Sequence, residues 1–201
     1  MKRLAAALML VVSVVGCLAP VASAKTPKHA PAQVSAPGGL GNTRADFERF
    51  YGKPAVDTFD DLAKSLHADD AEFHIKSSGV VLLVEFLVNK DNVLRSTDRA
   101  FDIAVQAPPD RPWTLIEADA VAAYLLPKDA KSLGDLAPAQ TTPPQTTIIW
   151  EQQFYSSSSL AKAIPDKTWW TSDDKIGDFG VSLNLDSNGS WSSVTIGTDV
   201  N

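Results

Sequence analysis

Residues 80–93, VVLLVEFLVNKDNV, and residues 181–194, VSLNLDSNGSWSSV, decide the fold. Val84, Phe86 and Val88 alternate with other residues in the first stretch, and Val181, Leu183 and Leu185 do so in the second. Apolar residues at every second position mark a strand with one face buried. A polar turn follows each, Asn89–Asn92 and Asp186–Gly189, and then a return strand. Asn188-Gly189 suits a tight hairpin because both residues tolerate positive φ. The first return strand is expected to start at Val93 and run toward Val105, where Pro108 and Pro109 stop it.

Working outward, Leu62-Ala63-Lys64-Ser65-Leu66 precedes the first hairpin by nearly the distance at which Leu160-Ala161-Lys162-Ala163-Ile164 precedes the second. The first of these belongs to a short helix expected over Phe59–His67, with Phe59, Leu62, Ala63 and Leu66 on its apolar side. A longer helix stands before each. Thr43-Arg44-Ala45-Asp46 reads as an N-cap with an acid at the third helical position, and Phe47, Phe50 and Tyr51 form one apolar face. Gly52 closes that helix and Pro54 prevents its resumption. The second longer helix is expected over 115–126, capped by Thr114 and stopped by Pro127. Further strands are expected around Phe73 and Ile75 and over Thr146–Tyr155. The pattern predicts an α+β fold of antiparallel sheet with short helices packed on one face. It divides into two tandem helix–helix–hairpin units, 42–110 and 111–201.

The chain ahead of these units reads as an address. Lys2 and Arg3 precede an apolar run from Leu4 to Val15, too short for a spanning helix and typical of a signal peptide over 1–24. Val14-Val15-Gly16-Cys17 reads as a lipobox, with Val rather than Leu at its first position. It predicts cleavage after residue 16 and a lipid on Cys17. Ala22-Ser23-Ala24 offers the rival cut, which releases a soluble chain beginning at Lys25. Both readings export the protein, to a membrane-anchored position in the periplasm or on the cell surface, or into the medium. Residues 18–41, rich in Pro, Ala, Ser and Gly, read as a flexible tether, and His29 falls within it.

Composition excludes several functions. Cys17 is the single cysteine, so no disulfide forms and stability rests on the core. Its 44 % hydrophobic content is that of an ordinary globular protein. The net charge of −6 becomes two units more negative once Lys2 and Arg3 leave. An acidic domain without a basic cluster suits neither nucleic acid nor anionic lipid, so membrane contact falls to the lipidated Cys17.

The stretch Gly41–Pro54, GNTRADFERFYGKP, resembles the helix-closing pattern of the SmpA/BLIP-like group of small envelope proteins. That group includes outer-membrane assembly lipoproteins and β-lactamase inhibitory proteins. The resemblance implies short helices on antiparallel sheet, sometimes in tandem, and supplies no functional residue.

Two constellations carry possible chemistry. Asp70, Glu72 and His74 project from one face of an extended segment, and two carboxylates with an imidazole at that spacing suit a divalent metal. The same residues also form the natural solvent side of a strand whose other face holds Phe73 and Ile75. Trp169, Trp170 and Trp191 offer rings for a sugar or a protein partner, or large side chains to cover a small sheet. Of the adjacent Trp169-Trp170, one ring is expected to face in and the other out. The serines 156–159 lack a nucleophile elbow and suit a helix cap. The expectation is a non-enzymatic exported domain without a cofactor that binds a protein partner in the envelope. The alternatives are a metal-dependent or acid–base envelope hydrolase using Asp70, Glu72 and His74, and a sugar-binding module using Trp169 and Trp170.

Overall fold

The computed structural model describes residues 33–134, 150–167, 170, 175–186 and 188–198. Cys17, the signal segment, His29, Trp169 and the start of the strand expected from Thr146 lie outside the described residues.

Helix α1 (Arg44–Tyr51) begins at the expected cap. The Asp46 N–H donates to Thr43 Oγ1 at 3.3 Å and the Thr43 N–H donates to Asp46 Oδ2 at 3.2 Å. Gly52 takes φ 88° and ends it. Strand β1 (Val56–Thr58) and helix α2 (Asp61–Leu66) follow. Asp60 caps α2 by accepting the Ala63 N–H at 2.9 Å. Strands β2 (Ala68–Ile75), β3 (Val80–Leu87) and β4 (Arg99–Gln106) complete the first half. The second half holds α3 (Leu115–Leu125), β5 (Lys131–Ser132), β6 (Trp150–Ser156), α4 (Ser158–Ala163), β7 (Asp178–Leu185) and β8 (Trp191–Gly197). Thr114 and Glu117 form a capping box on α3, and Ser157 caps α4.

All eight strands join one open antiparallel sheet in the order β1-β2-β3-β4-β8-β7-β6-β5. The fold is therefore α+β. The halves meet where β4 pairs with β8, with Ile103 opposite Ile196 and Val105 opposite Val194. The halves differ in chain order: β2 follows the short helix α2, whereas β6 precedes the short helix α4.

One face of the sheet carries the core. Phe73, Leu82, Val84, Phe86, Ile103, Val194, Ile196 and Val181 point into it, and α1, α3 and α4 cover them with Phe47, Ala118, Ala122, Leu125 and Leu160. The Phe47 ring meets Phe86 edge-on at 5.2 Å and Phe73 at 5.8 Å. Tyr155 stacks on Phe179 at 5.6 Å.

Three expectations are corrected. Residues 33–41 are not free tether: Val34, Ser35 and Leu40 are buried. Asn42 organises them, its Oδ1 accepting from the Val34 N–H at 3.1 Å and its Nδ2 donating to the Ala36 carbonyl at 2.5 Å. The Leu40 N–H donates to Leu125 O and the Gly41 N–H to Ala100 O, which sews the segment to α3 and β4. Its glycines serve close approach. Gly38 has φ +76° and a Cβ there would overlap the Tyr51 ring, while one on Gly41 would stand 2.7 Å from Leu160 Cδ1. Second, α2 buries only Ala63. Leu62 and Leu66 are 67 % and 57 % exposed, because this six-residue helix packs on β2 near the sheet margin and offers little inward surface. Third, the return strand starts at Arg99 rather than Val93. Asn92 at φ 53° and a turn from Arg95 to Asp98 make residues 88–98 a loop.

A Gly38→Ala chain meets both the strained φ and the Tyr51 ring. It should lose about 2 kcal/mol or more of unfolding free energy in urea. An unchanged midpoint would contradict the packing of residues 33–41.

Candidate functional site

Adjacent acids at the start of β2 are sent to opposite faces by the strand pleat. Asp69 is fully buried and Asp70 is exposed. Asp69 meets Arg44, itself buried in the first turn of α1. The same guanidinium reaches Asp57 of β1 through Nη2 at 2.5 Å and Glu48 of α1 through Nε at 3.1 Å. It also stands 5.6 Å over the Phe86 ring. Burial pushes Asp69 up to about 6; Arg44 pulls the other way and the negative Asp57 adds to the rise. Among the described residues Asp69 Oδ1 has no hydrogen-bond partner.

This cluster fixes how β1 and β2 present their other face. Cα partners there run in rows across the sheet: Thr58, Asp70, Glu85, Asp102, Gly197, Gly180 and Phe154 in one, and Val56, Glu72, Leu83, Ala104, Thr195, Ser182 and Gln152 in the next. Helices α1, α3 and α4 lie on the opposite side. Three acids thus stand side by side on β2, β3 and β4, an arrangement that costs free energy between like charges. Glu85 and Asp102 each have a further interaction of their own. Burial raises the Asp70 pKa above the ordinary carboxylate value, and Asp60 adds to it. Large apolar side chains sit among these polar groups: Val56 is 49 %, Leu83 37 % and Phe154 40 % exposed.

The predicted residues fall as follows. Asp70, Glu72 and His74 share the face turned away from α1, α3 and α4, and His74 Nε2 contacts Glu72 Oε1. Among the described residues no group of three or more His, Cys, Asp or Glu is placed to hold a metal. The strand spacing that aligns the three side chains on one face also spreads them along it. Trp170 is 5 % exposed and donates its indole N–H to Ile164 O at 3.2 Å, so its ring belongs to the core and the stacking role expected of it is corrected. Trp191 is partly buried against the core and bridges Trp113 through the backbone. The serine run serves as a cap and more. Asp129, on the turn after α3, accepts the hydroxyls of Ser157, Ser158 and Ser159 and the Ser159 N–H, which together hold its pKa far below the ordinary range despite desolvation.

The row Asp70, Glu85, Asp102 escaped the sequence reading because it draws one acid from each of three strands. Its signal was Glu85, a lone charge between Val84 and Phe86 in an otherwise apolar strand. Comparison with protein-family models, with curated proteins and with solved structures found no match to this chain.

Truncating Arg44 leaves Asp69 buried without its counter-charge. Arg44→Ala should cost about 3 kcal/mol in urea unfolding, and a loss under about 1 kcal/mol would contradict the cluster. Asp69 itself is more readily protonated folded than unfolded. Its contribution is therefore fully present below the unfolded value near 3.8 and is lost as pH rises through about 6. Wild type should accordingly gain stability relative to Asp69→Asn as pH falls between those values. A difference between the two chains that does not vary with pH would overturn the assignment.

Proposed function

We propose that the protein is an exported, lipid-anchored domain of the cell envelope that binds a protein partner and catalyses no reaction. The observation that carries this reading is the sheet face turned away from α1, α3 and α4. Val56, Leu83 and Phe154 are exposed there, on β1, β3 and β6, among acids and hydroxyls. A broad, gently polar surface with spaced apolar anchors is the chemistry of a protein interface rather than of a small-molecule pocket. The acids on that face favour a partner with basic side chains and set orientation and encounter rate more than affinity.

The address rests on Lys2, Arg3, the apolar run to Val15 and Cys17. Residues 33–41 pack on the domain, which leaves 18–32 as the spacer between a lipid on Cys17 and the folded body. The sequence correspondence of the two hairpins supports an origin by duplication, with β3–β4 and β7–β8 as the equivalent pairs flanking the central seam. The Gly41–Pro54 stretch supports kinship with the SmpA/BLIP-like group.

Two measurements test this reading. The intact mass of the mature protein should begin at an acylated Cys17, and a chain beginning at Lys25 would refute the anchor. A photo-crosslinker at Leu83 or Phe154 should trap a partner in the intact envelope, whereas one at Ile116, exposed on α3, should not. Equal trapping from all three positions would remove the sheet face as the interface.

A further inference from the structure

A groove of about 280 Å³ opens between one flank of α3 and the covered face of β6 and β7. Asp119, Ala122, Ala123 and Leu126 recur at helical spacing and form one wall, with Asp119 and Ala123 exposed at the rim. Gln153 and Tyr155 of β6 form the other wall, and Val181 and Leu183 of β7 form the floor. The groove exists because α3 packs over β8 and β7 and sets two alanines opposite β6. Longer side chains there would close it. Its volume lies near the lower bound of ordinary ligand pockets, about 300 Å³. That limits an occupant to a single ring or a short alkyl chain.

Two polar residues break the apolar pattern of this face. Gln153 pairs with Val181 and Tyr155 with Phe179, so both stand on the side of the sheet that elsewhere carries Val, Ile, Leu and Phe. Their hydrogen bonds run in one direction. The Tyr155 hydroxyl donates to Gln153 Oε1 at 2.6 Å, Gln153 Nε2 donates to Ser132 Oγ at 3.0 Å, and the Ser132 hydroxyl donates to the Gly134 carbonyl at 3.1 Å. A hydroxyl has one proton, and Gln153 holds this one, so the Tyr155 oxygen offers the groove only lone pairs. Asp119 adds a carboxylate. Burial raises the Tyr155 pKa and the negative Asp119 adds to the rise, so this carboxylate acts on the hydroxyl from the facing wall. Among the described residues no Lys, Arg or His lines the groove or lies within ion-pair distance of Asp119. Asp119 and the Tyr155 oxygen are thus acceptors without a matching donor, set beside hydrocarbon. Their complement is an ammonium that carries a small apolar group.

We propose that this groove binds a small organic ammonium, its charged nitrogen between Asp119 and the Tyr155 oxygen and its hydrocarbon against Ala122, Val181 and Leu183. The site lies on the helix-covered side of the sheet, and its occupancy does not require the protein-partner reading to hold.

The test titrates the purified mature protein with phenethylamine at neutral pH and constant ionic strength, followed by amide NMR shifts. Phenethylammonium should bind in the millimolar range and shift the amides of residues 119–126, 153–155 and 181–183. Phenylethanol keeps the ring and loses the charge, and methylammonium keeps the charge and loses the ring. Each should bind about threefold more weakly or worse. Phenylpropionate reverses the charge and should not bind. Asp119→Asn, at an exposed position that leaves the fold intact, should weaken phenethylammonium about threefold and leave phenylethanol unchanged. Tyr155→Phe keeps the ring stacked on Phe179, removes the acceptor and should weaken phenethylammonium several-fold. Ala123→Leu, at the exposed rim, should fill the groove and abolish binding with the unfolding midpoint unchanged. Phenylethanol binding as tightly as phenethylammonium, no shift at these residues by about 20 mM, or unchanged phenethylammonium affinity in any of these variants would overturn the proposal.

Discussion

One guanidinium ties the first half of the molecule together. Arg44 extends from the first turn of α1 to Asp57 on β1 and Asp69 on β2, while lying over Phe86 of β3. Replacing such a cluster by hydrocarbon of equal volume often costs nothing, because desolvation offsets the attraction. Its consequence is specificity. A one-residue slip of β2 would turn Asp69 outward and bring Asp70 in, and every apolar residue of the strand would change sides with it. Either register turns a carboxylate toward Arg44, but only the observed one also sets Phe73 against Phe47 and keeps the apolar side of β2 in the core. Asp69 accepts an unpartnered oxygen and a raised pKa as the consequence of that position.

Most elements were legible from local rules. The caps Thr43, Thr114 and Ser157, the stop at Gly52 and the hairpin turn at Asp186–Gly189 depend on neighbours within four residues. The failures depend on distant partners. Residues 33–41 have the composition of a linker, and composition cannot distinguish a glycine that loosens the chain from one that lets Tyr51 or Leu160 approach. Leu62 and Leu66 have helical spacing, but whether a stripe is covered depends on where the helix lands on the sheet. Val93 and Leu94 look like strand, yet the turn at Arg95–Asp98 delays pairing until Arg99.

The candidate site was legible to the same extent. Strand alternation put Asp70, Glu72 and His74 on one face, and they are there. What no single strand reveals is that the next positions across the sheet are Glu85 and Asp102, since that requires the register of three strands. An adjacent Trp pair suggests one ring inward and one outward, and Trp170 is an inward ring, bound by its N–H to Ile164 O within the core.

The sheet order explains how surfaces of different character share one small domain. Antiparallel pairing of β4 with β8 makes a continuous face from strands far apart in sequence, and that face inherits acids chiefly from β2, β3 and β4. A further cleft lies instead at the strand ends, where the chain leaves the sheet for the loop before β4 and for the end of α4. There the side chains no longer alternate under the sheet's control, and the loop's acids are consumed by its own turns: Asp91 on Arg95 and the Val93 N–H, Asp98 on the Arg95 N–H. Those hydrogen bonds fix the loop's shape; they do not cancel charge, and the lining there holds Lys90, Arg95 and Arg99 against Asp91, Asp98 and Asp166.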